Sequence, residues 1–370
     1  MDIKIGLIGF GFMGRTHSWC VDNLKYFYND LPFNVSFKGV CTSKPETADK
    51  AAALMGNGVR AVYNEDELIN DPEINVIDIC SPNVFHYETL KKAISAGKHI
   101  YCEKPLCISY EQAKEVGELA REKGIITQLV FNNRFLPAVI RARQLVDEGK
   151  LGRIISFHCE YLHSSASDPN KNAGWKQNRD ICGAGTLFDL GSHAVDMMHN
   201  LCGEIVSVKG MSQIAFPERR GLDGKTWKTN ADEAFYMLCK TKDGAVGTIE
   251  VSKIAFGTND EFNFEIYGEK GSLRFALMDP NWLYFYDSEA KDGDFGGERG
   301  FTRIECCGRY PAPSGIFPSI KSSIGWLRGH LHSMYSFLSC VNDGRPACPD
   351  FTDGAKVQKV LQMALLDDQK

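Results

Sequence analysis

The chain has 370 residues, 43% of them hydrophobic and 24% charged, and a formal net charge of −5. A chain of this length and balance is expected to fold as two domains with real cores, which excludes intrinsic disorder. The acidic net charge and the lack of a Lys/Arg-rich run argue against nucleic acid and favour a small-molecule partner bound in an interdomain cleft.

Thirteen cysteines are scattered along the chain, include the adjacent pair Cys306 and Cys307, and show no CxxC spacing. They read as reduced thiols, most of them, such as Cys41, Cys80 and Cys102, acting as small hydrophobes in apolar runs. No metal site is predicted. The opening MDIKIGLIGFG enters a strand without a basic or apolar leader, and no long uncharged apolar span follows. Cytoplasmic residence without membrane association is the expectation.

In chain order, the apolar run Ile3 to Ile8 precedes a helical stretch from Met13 to Tyr28 and a second run from Val35 to Cys41. A helix over Thr47 to Leu54, a run Val76 to Ile79, a helix Tyr87 to Ala96, a run His99 to Cys102, a helix Tyr110 to Lys123 and a run Ile125 to Phe131 continue the alternation. Such repetition predicts a doubly wound parallel sheet of the Rossmann kind over residues 1–128. After a helix at Leu136 to Glu148, strand-like runs dominate: Arg153 to Tyr161, Val206 to Ile214, Ala234 to Cys239, Ala245 to Lys253, Glu261 to Tyr267 and Gly271 to Phe275. Turn signals at Lys242-Asp243-Gly244 and Glu269-Lys270-Gly271 give several of them hairpin spacing. Residues 129–370 are therefore predicted to form an α+β domain with a mostly antiparallel open sheet. Loops fill Asp287 to Ser323, and helices near Leu331 to Asn342 and Asp353 to Leu366 close the chain, placed to pack back on the first domain.

Gly9-Phe10-Gly11-Phe12-Met13-Gly14 matches GxGxxG where the first strand gives way to a helix. Gly9 permits the tight turn, Gly11 lets backbone amides approach a pyrophosphate, and Gly14 allows close packing of helix on strand, with the helix N-terminus supplying partial positive charge. At the end of the second strand, where an acid commonly binds the adenosine ribose, the chain reads Cys41-Thr42-Ser43-Lys44. Ser43 and Lys44 suit a ribose 2′-phosphate, and Thr42 and Ser43 an unphosphorylated ribose, so NAD and NADP both stand as cofactors. The alternative is a solvated turn.

Two further segments follow predicted strands: Ser81-Pro82-Asn83 with His86, and Ala96 to Leu106 containing Glu103-Lys104-Pro105. With the Gly-rich turn and the later Gly183 to His193, which carries Asp189 and His193, they closely resemble the glucose-fructose oxidoreductase and inositol dehydrogenase family, Gfo/Idh/MocA. The resemblance spans nearly the whole chain and implies a nicotinamide enzyme with a Rossmann domain and an open-sheet substrate domain. It places Lys104 beside the nicotinamide and the reacting hydroxyl, Glu103 and Pro105 next to it, and Lys104-Pro105 in the cis form. Ser81, Pro82, Asn83, His86 and Arg134 fall on cofactor positions.

Oxidising a secondary alcohol needs a base for the hydroxyl proton while hydride leaves carbon, and a lysine serves where burial or nearby positive charge favours the neutral amine. Asp189 and His193, four residues apart, share one face of a helix, and the family pattern puts them beside substrate. Either Lys104 or His193 is the base. Trp175 and Lys176 fall on a pocket segment where the family often has Trp-Arg, so a bidentate grip is in doubt. Tyr161 and His163, ending a strand, are candidates for a sugar face or its hydroxyls. His330 and His332 are read as structural or solvent-facing.

The leading expectation is an NAD(P)-dependent oxidoreductase acting on a secondary hydroxyl of a sugar, polyol or glycoside, with a lean to C3 of a glycosidic sugar. A glycoside hydrolase or lyase that oxidises the sugar transiently is the alternative, and a non-catalytic dinucleotide sensor is disfavoured by the joint presence of Lys104, Asp189 and His193. The resemblance also implies a homodimer or homotetramer covering the open sheet.

Overall fold

A computed structural model describes residues 1–221, 224–310 and 317–369. The chain divides into two compact units. Met1–Asn132 and Trp326–Gln358 form the main body of the first. The chain from Asn133 to Gly325, apart from a short stretch ending at Pro318, forms the second together with the chain from Lys359 onward.

The first unit is built on six parallel strands: β1 (Asp2–Ile8), β2 (Asn34–Cys41), β3 (Arg60–Val62), β4 (Val76–Ile79), β5 (His99–Cys102) and β6 (Thr127–Leu129). Their spatial order is β3-β2-β1-β4-β5-β6, with the reversal of order between β1 and β4 that makes a topological switch point. The helices α1 (Phe12–Phe27), α2 (Pro45–Met55), α3 (Glu65–Ile69), α4 (His86–Ser95) and α5 (Tyr110–Glu122) occupy the connections. Strand residues such as Ile3, Ile5, Leu7, Val76, Ile77 and Ile100 are completely buried, as expected of a sheet covered on both faces. The short β3 and α3 escape the sequence pattern because three to five residues carry no readable period.

In the second unit α6 (Pro137–Asp147) leads into β7 (Ile154–Leu162), and α7 (Arg179–Cys182) precedes a π turn at Leu187–Gly191 that runs into α8 (Ser192–Cys202). There follow β8 (Ile205–Gln213), a two-stranded hairpin of β9 (Glu218–Arg220) and β10 (Thr226–Lys228), then β11 (Ala234–Thr241), β12 (Val246–Ser252), β13 (Glu261–Gly268), β14 (Gly271–Ala276), β15 (Trp282–Asp287) and β16 (Phe301–Glu305). The large sheet has the order β16-β15-β14-β13-β7-β12-β11-β8. Its pairings are antiparallel except for β7 with β12, so the sheet is mixed at its centre. Strand β16 lies where a loop was expected; its residues are mostly exposed and leave no alternating pattern. The last helices are α9 (Trp326–Asp343) and α10 (Phe351–Asp368), and α9 begins a full turn earlier than its periodicity suggested. In the first unit α9 packs against α1, with Leu331, Met334, Phe337 and Leu338 joining the core of β1 and α1.

All thirteen cysteines are free thiols, ten of them buried, and no helix among the described residues is long and apolar enough to cross a membrane. The π turn is anchored by Asp232, which accepts hydrogen bonds from Gly185 N at 2.8 Å and Leu187 N at 2.7 Å. Burial pushes the Asp232 carboxyl up, and those two amides oppose the shift. Asp232→Ala removes two charge-assisted bonds and strands two buried donors, so a loss of about 2–4 kcal/mol is expected in urea unfolding.

Candidate active site

In the first unit the chain leaves β1 at Gly9, whose φ of +96° only glycine tolerates without strain. A Cβ there would strike the Cys80 carbonyl, and one at Gly14 would strike the carbonyl of Gly9. At Gly11 the reverse holds: nothing lies within 4 Å of the Cβ position. Helix α1 starts immediately after it with no side-chain cap and no acid in its first turn. The result is a set of unspent backbone donors at a helix N-terminus facing open space, which fits a pyrophosphate. Phe12 is exposed and its ring lies 5.5 Å from that of Trp326, while Met13 is half-buried.

At the tip of β2, Thr42 Oγ1 donates to the Lys44 carbonyl at 3.0 Å and lies 2.5 Å from Thr47 Oγ1. The Thr42 hydroxyl thus shapes the turn, and Ser43 and Lys44 are the exposed groups. No carboxylate occupies Thr42 to Lys44. After β4, the buried Ser81 hydroxyl has no hydrogen-bond partner among the described residues. Such an orphan suits a polar ligand atom. Pro82 and Asn83 turn the chain into α4, with Asn83 buried.

Lys104 follows β5, half-buried, with Lys104-Pro105 cis. Two residues expected against the cofactor turn inward instead. His86 is fully buried, its Nδ1 lying 3.0 Å from the Pro105 carbonyl and its Nε2 2.9 Å from that of Ser81. Burial holds it below the usual histidine range. Its ring is a brace between two loops rather than a ligand contact. Glu103 likewise points into the unit, lying 3.2 Å from His17 Nε2 and accepting the Lys104 backbone N–H at 3.2 Å. Sequence order alone puts both beside the Gly-rich turn; only packing decides which way a side chain points. His330 and His332, read from sequence as structural or solvent-facing, are buried at 2% and 8% exposure.

The second unit brings together most of the remaining candidates. Asp189 sits in the π turn, a distortion frequent at functional sites, and His193 lies buried in the first turn of α8. Asp189 Oδ2 is held by Lys176 Nζ at 2.7 Å and by Lys253 Nζ at 2.7 Å. Lys176 is exposed and also lies 5.6 Å from the Trp175 ring centroid, whereas Lys253 is buried. The carboxylate and its two ammonium groups offer an acceptor flanked by donors, a pattern matched to vicinal hydroxyls.

Tyr161 ends β7 with its ring 5.9 Å from that of His193 and 5.1 Å from that of His163. His163 Nε2 lies 2.8 Å from Asp260 Oδ1. Burial, then the charge of Asp260 and a hydrogen bond to it, push the Tyr161 hydroxyl well up, while Asn133 bonds it in the opposite sense. Arg134, expected near the cofactor, makes a bidentate pair with Asp196 of α8, Nε to Oδ2 at 2.8 Å and Nη2 to Oδ1 at 2.5 Å. That pair fixes the start of the unit to α8.

Lys253, Asp260 and Asn133 were missed as candidates. Lys253 follows an apolar strand as Lys104 does, but no motif marked it, and a lysine in that place is ordinarily a solvated surface charge. Asp260 carried none, because a carboxylate in a polar loop is unremarked until a histidine is found against it.

Comparison with known proteins agrees with both halves. Residues 3–131 match the family model described as an oxidoreductase family with an NAD-binding Rossmann fold, and residues 139–274 match the GFO/IDH/MocA C-terminal domain. A levoglucosan dehydrogenase of Pseudarthrobacter phenanthrenivorans is 32% identical over 99% of this chain and 95% of its own length. A glucose-6-phosphate 3-dehydrogenase of Bacillus subtilis is 24% identical over 97% and 95%. The solved levoglucosan dehydrogenase in complex with NADH and levoglucosan superposes with a TM-score of 0.93 at 31% identity, covering 100% of this chain and 98% of the other. Gly-rich turn, Glu-Lys-Pro segment, open sheet and whole-length likeness together make this chain a member of the Gfo/Idh/MocA family of nicotinamide-dependent oxidoreductases.

Proposed function

We propose that this protein reversibly oxidises a secondary hydroxyl of a sugar, polyol or glycoside, with C3 of a glycosidic sugar as the first carbon to test. The observation that carries this reading is the Lys176–Asp189–Lys253 clamp in the unit that also holds His193 and Tyr161. A carboxylate between two ammonium groups recognises adjacent hydroxyls and has no comparable use in binding an apolar substrate. Whole-length likeness to a levoglucosan dehydrogenase and to a glucose-6-phosphate 3-dehydrogenase supports a carbohydrate and a ring hydroxyl.

The bound nicotinamide supplies the acceptor for the hydride that leaves carbon. Residues of the first unit bind the dinucleotide: the amides following Gly11 take the pyrophosphate, Ser43 and Lys44 take the ribose end, and the Ser81 hydroxyl gains a partner. Lys104 takes the proton of the reacting hydroxyl, while Asp189 and its lysines orient the neighbouring hydroxyls. His193 bonds the reacting oxygen and stabilises it as the proton departs. Trp175, exposed beside Lys176, covers a sugar face.

Lys104→Ala is expected to keep dinucleotide binding and to lose roughly 10³-fold in kcat, read as keto-sugar formation over a sugar and glycoside panel. His193→Ala should cost less; if it costs more than Lys104→Ala, the base is His193. The exposed Lys44 at a tip without a carboxylate favours NADP, so Lys44→Asp should lower the NADP-to-NAD ratio of kcat/KM by about tenfold or more. On β8 and β11 the cross-strand pair Met211 and Tyr236 and the nearby Leu238 are exposed on one sheet. We propose that a second copy of the chain covers them; light scattering should give a dimer or tetramer, and charged replacements of Met211 and Leu238 should reduce its mass.

A further inference from the structure

Within the first unit, the ring of His17 in α1 stands between two buried carboxylates. Its Nδ1 lies 2.9 Å from Asp78 Oδ1 and its Nε2 3.2 Å from Glu103 Oε1. His17, Asp78 and Glu103 are at most 6% exposed. A carboxylate oxygen accepts and does not donate, and a neutral imidazole donates from one nitrogen only. A neutral His17 would therefore aim a ring lone pair at one of the two carboxylates, in a setting where buried like polarity is costly. The geometry calls for one proton more than a neutral histidine and two carboxylates hold.

We propose that His17 is a positioning residue, an imidazolium clamped between Asp78 and Glu103 that fixes the turn carrying Lys104. The chain of contacts is short: Asp78 orients His17, His17 orients Glu103, and Glu103 Oε2 receives the backbone N–H of Lys104 at 3.2 Å. This inference rests on Lys104 being the reacting base. Two carboxylates and one imidazolium leave one net negative charge in the network, which favours the positive charge that Lys104 gains as it takes the proton of the reacting hydroxyl.

Titratable groups from four elements lie around His17. From β4 and the residue after it come Asp78 and Cys80, whose thiol lies 3.2 Å from His17 Nδ1 and 3.5 Å from Asp78 Oδ1. From β5 comes Tyr101, with its ring 5.1 Å away, and from α9 His330, at 6.3 Å between ring centroids. Cys20 of α1 completes the set, its thiol pushed up to about 12 by burial. Burial also raises Cys80 and Tyr101, so both are neutral, and it holds His330 far below the histidine range with the charges of His17 and Lys104 acting in the same direction. His17 itself is raised well above the usual histidine range: burial, the largest influence, opposes its charge, and Asp78 and Cys80 together outweigh that penalty.

The test labels the histidines of the full-length protein with nitrogen-15 and follows His17, assigned through its own backbone amide. Both ring nitrogens are expected to read as N–H donors well above about pH 6.5, the free histidine value. A raised folded-state value means that this proton's stabilisation is complete below about pH 6.5 and is lost as pH rises through the folded-state value. Wild type should accordingly lose its stability advantage over His17→Asn on the alkaline side. In that variant kcat should fall about a hundredfold and its pH profile should shift, with dinucleotide affinity largely kept. A lone-pair nitrogen on His17 at neutral pH, or stoichiometric zinc on the purified protein in place of the proton, overturns the proposal. If His17→Asn does not fold, the wild-type nitrogen signals still decide. Full turnover in Lys104→Ala would instead overturn the assigned base while leaving those signals unchanged, so the two failures are distinguishable.

Discussion

Charge carried away from water has to be answered by charge or by donors, and both units of this protein are organised around meeting that requirement. In the first unit Asp78 and Glu103 are answered by His17. In the second, Asp232 is answered by two backbone amides, Asp196 by Arg134, and Glu233 by Arg219, which also bonds the carbonyls of Ala166 and Asp168. None of these pairs is a surface ornament. Each fixes a segment that ends at a candidate functional side chain: the Lys104 turn, the π turn of Asp189, the helix of His193 and the loop after His163.

Buried ion pairs contribute little net stability compared with apolar packing, because desolvation offsets most of the attraction. Their effect here is one of placement. A leucine core would hold α8 against the sheet as firmly, but it would not hold the π turn at the one rotation that presents Asp189 to Lys176 and Lys253. The same reasoning applies to His86, whose two carbonyl contacts join the Ser81 loop to the Pro105 loop. Sites that require atomic placement are supported by residues that never touch a ligand.

The division of labour between the units follows from their secondary structure. A parallel sheet with a switch point leaves a helix N-terminus and a glycine turn at its strand ends, suited to an anionic dinucleotide. A large open sheet with loops at its strand ends supplies side chains of varied chemistry, suited to a substrate recognised through hydroxyls. Variation in the second unit would then change the substrate without disturbing the dinucleotide site, in keeping with relatives that are named for different sugars.

Much of the first unit was legible in the sequence. Its strands are nearly continuous apolar runs, and Gly9 and Gly14 have fixed places because a backbone turn and a close helix contact each exclude a Cβ, while Gly11 leaves open space beside the helix start. Lys104, Asp189 and His193 were legible through motif order. What the sequence could not show is direction: Glu103 and His86 neighbour ligand positions yet face inward, and Arg134 is spent on Asp196. Nor could it show Lys253 meeting Asp189 across 64 positions, or His17 meeting Asp78 and Glu103 across 61 and 86. Local pattern determines which residues form a strand or a helix, since that depends on near neighbours. The partner of a buried charge is set by how distant segments stack, and only the tertiary structure decides it.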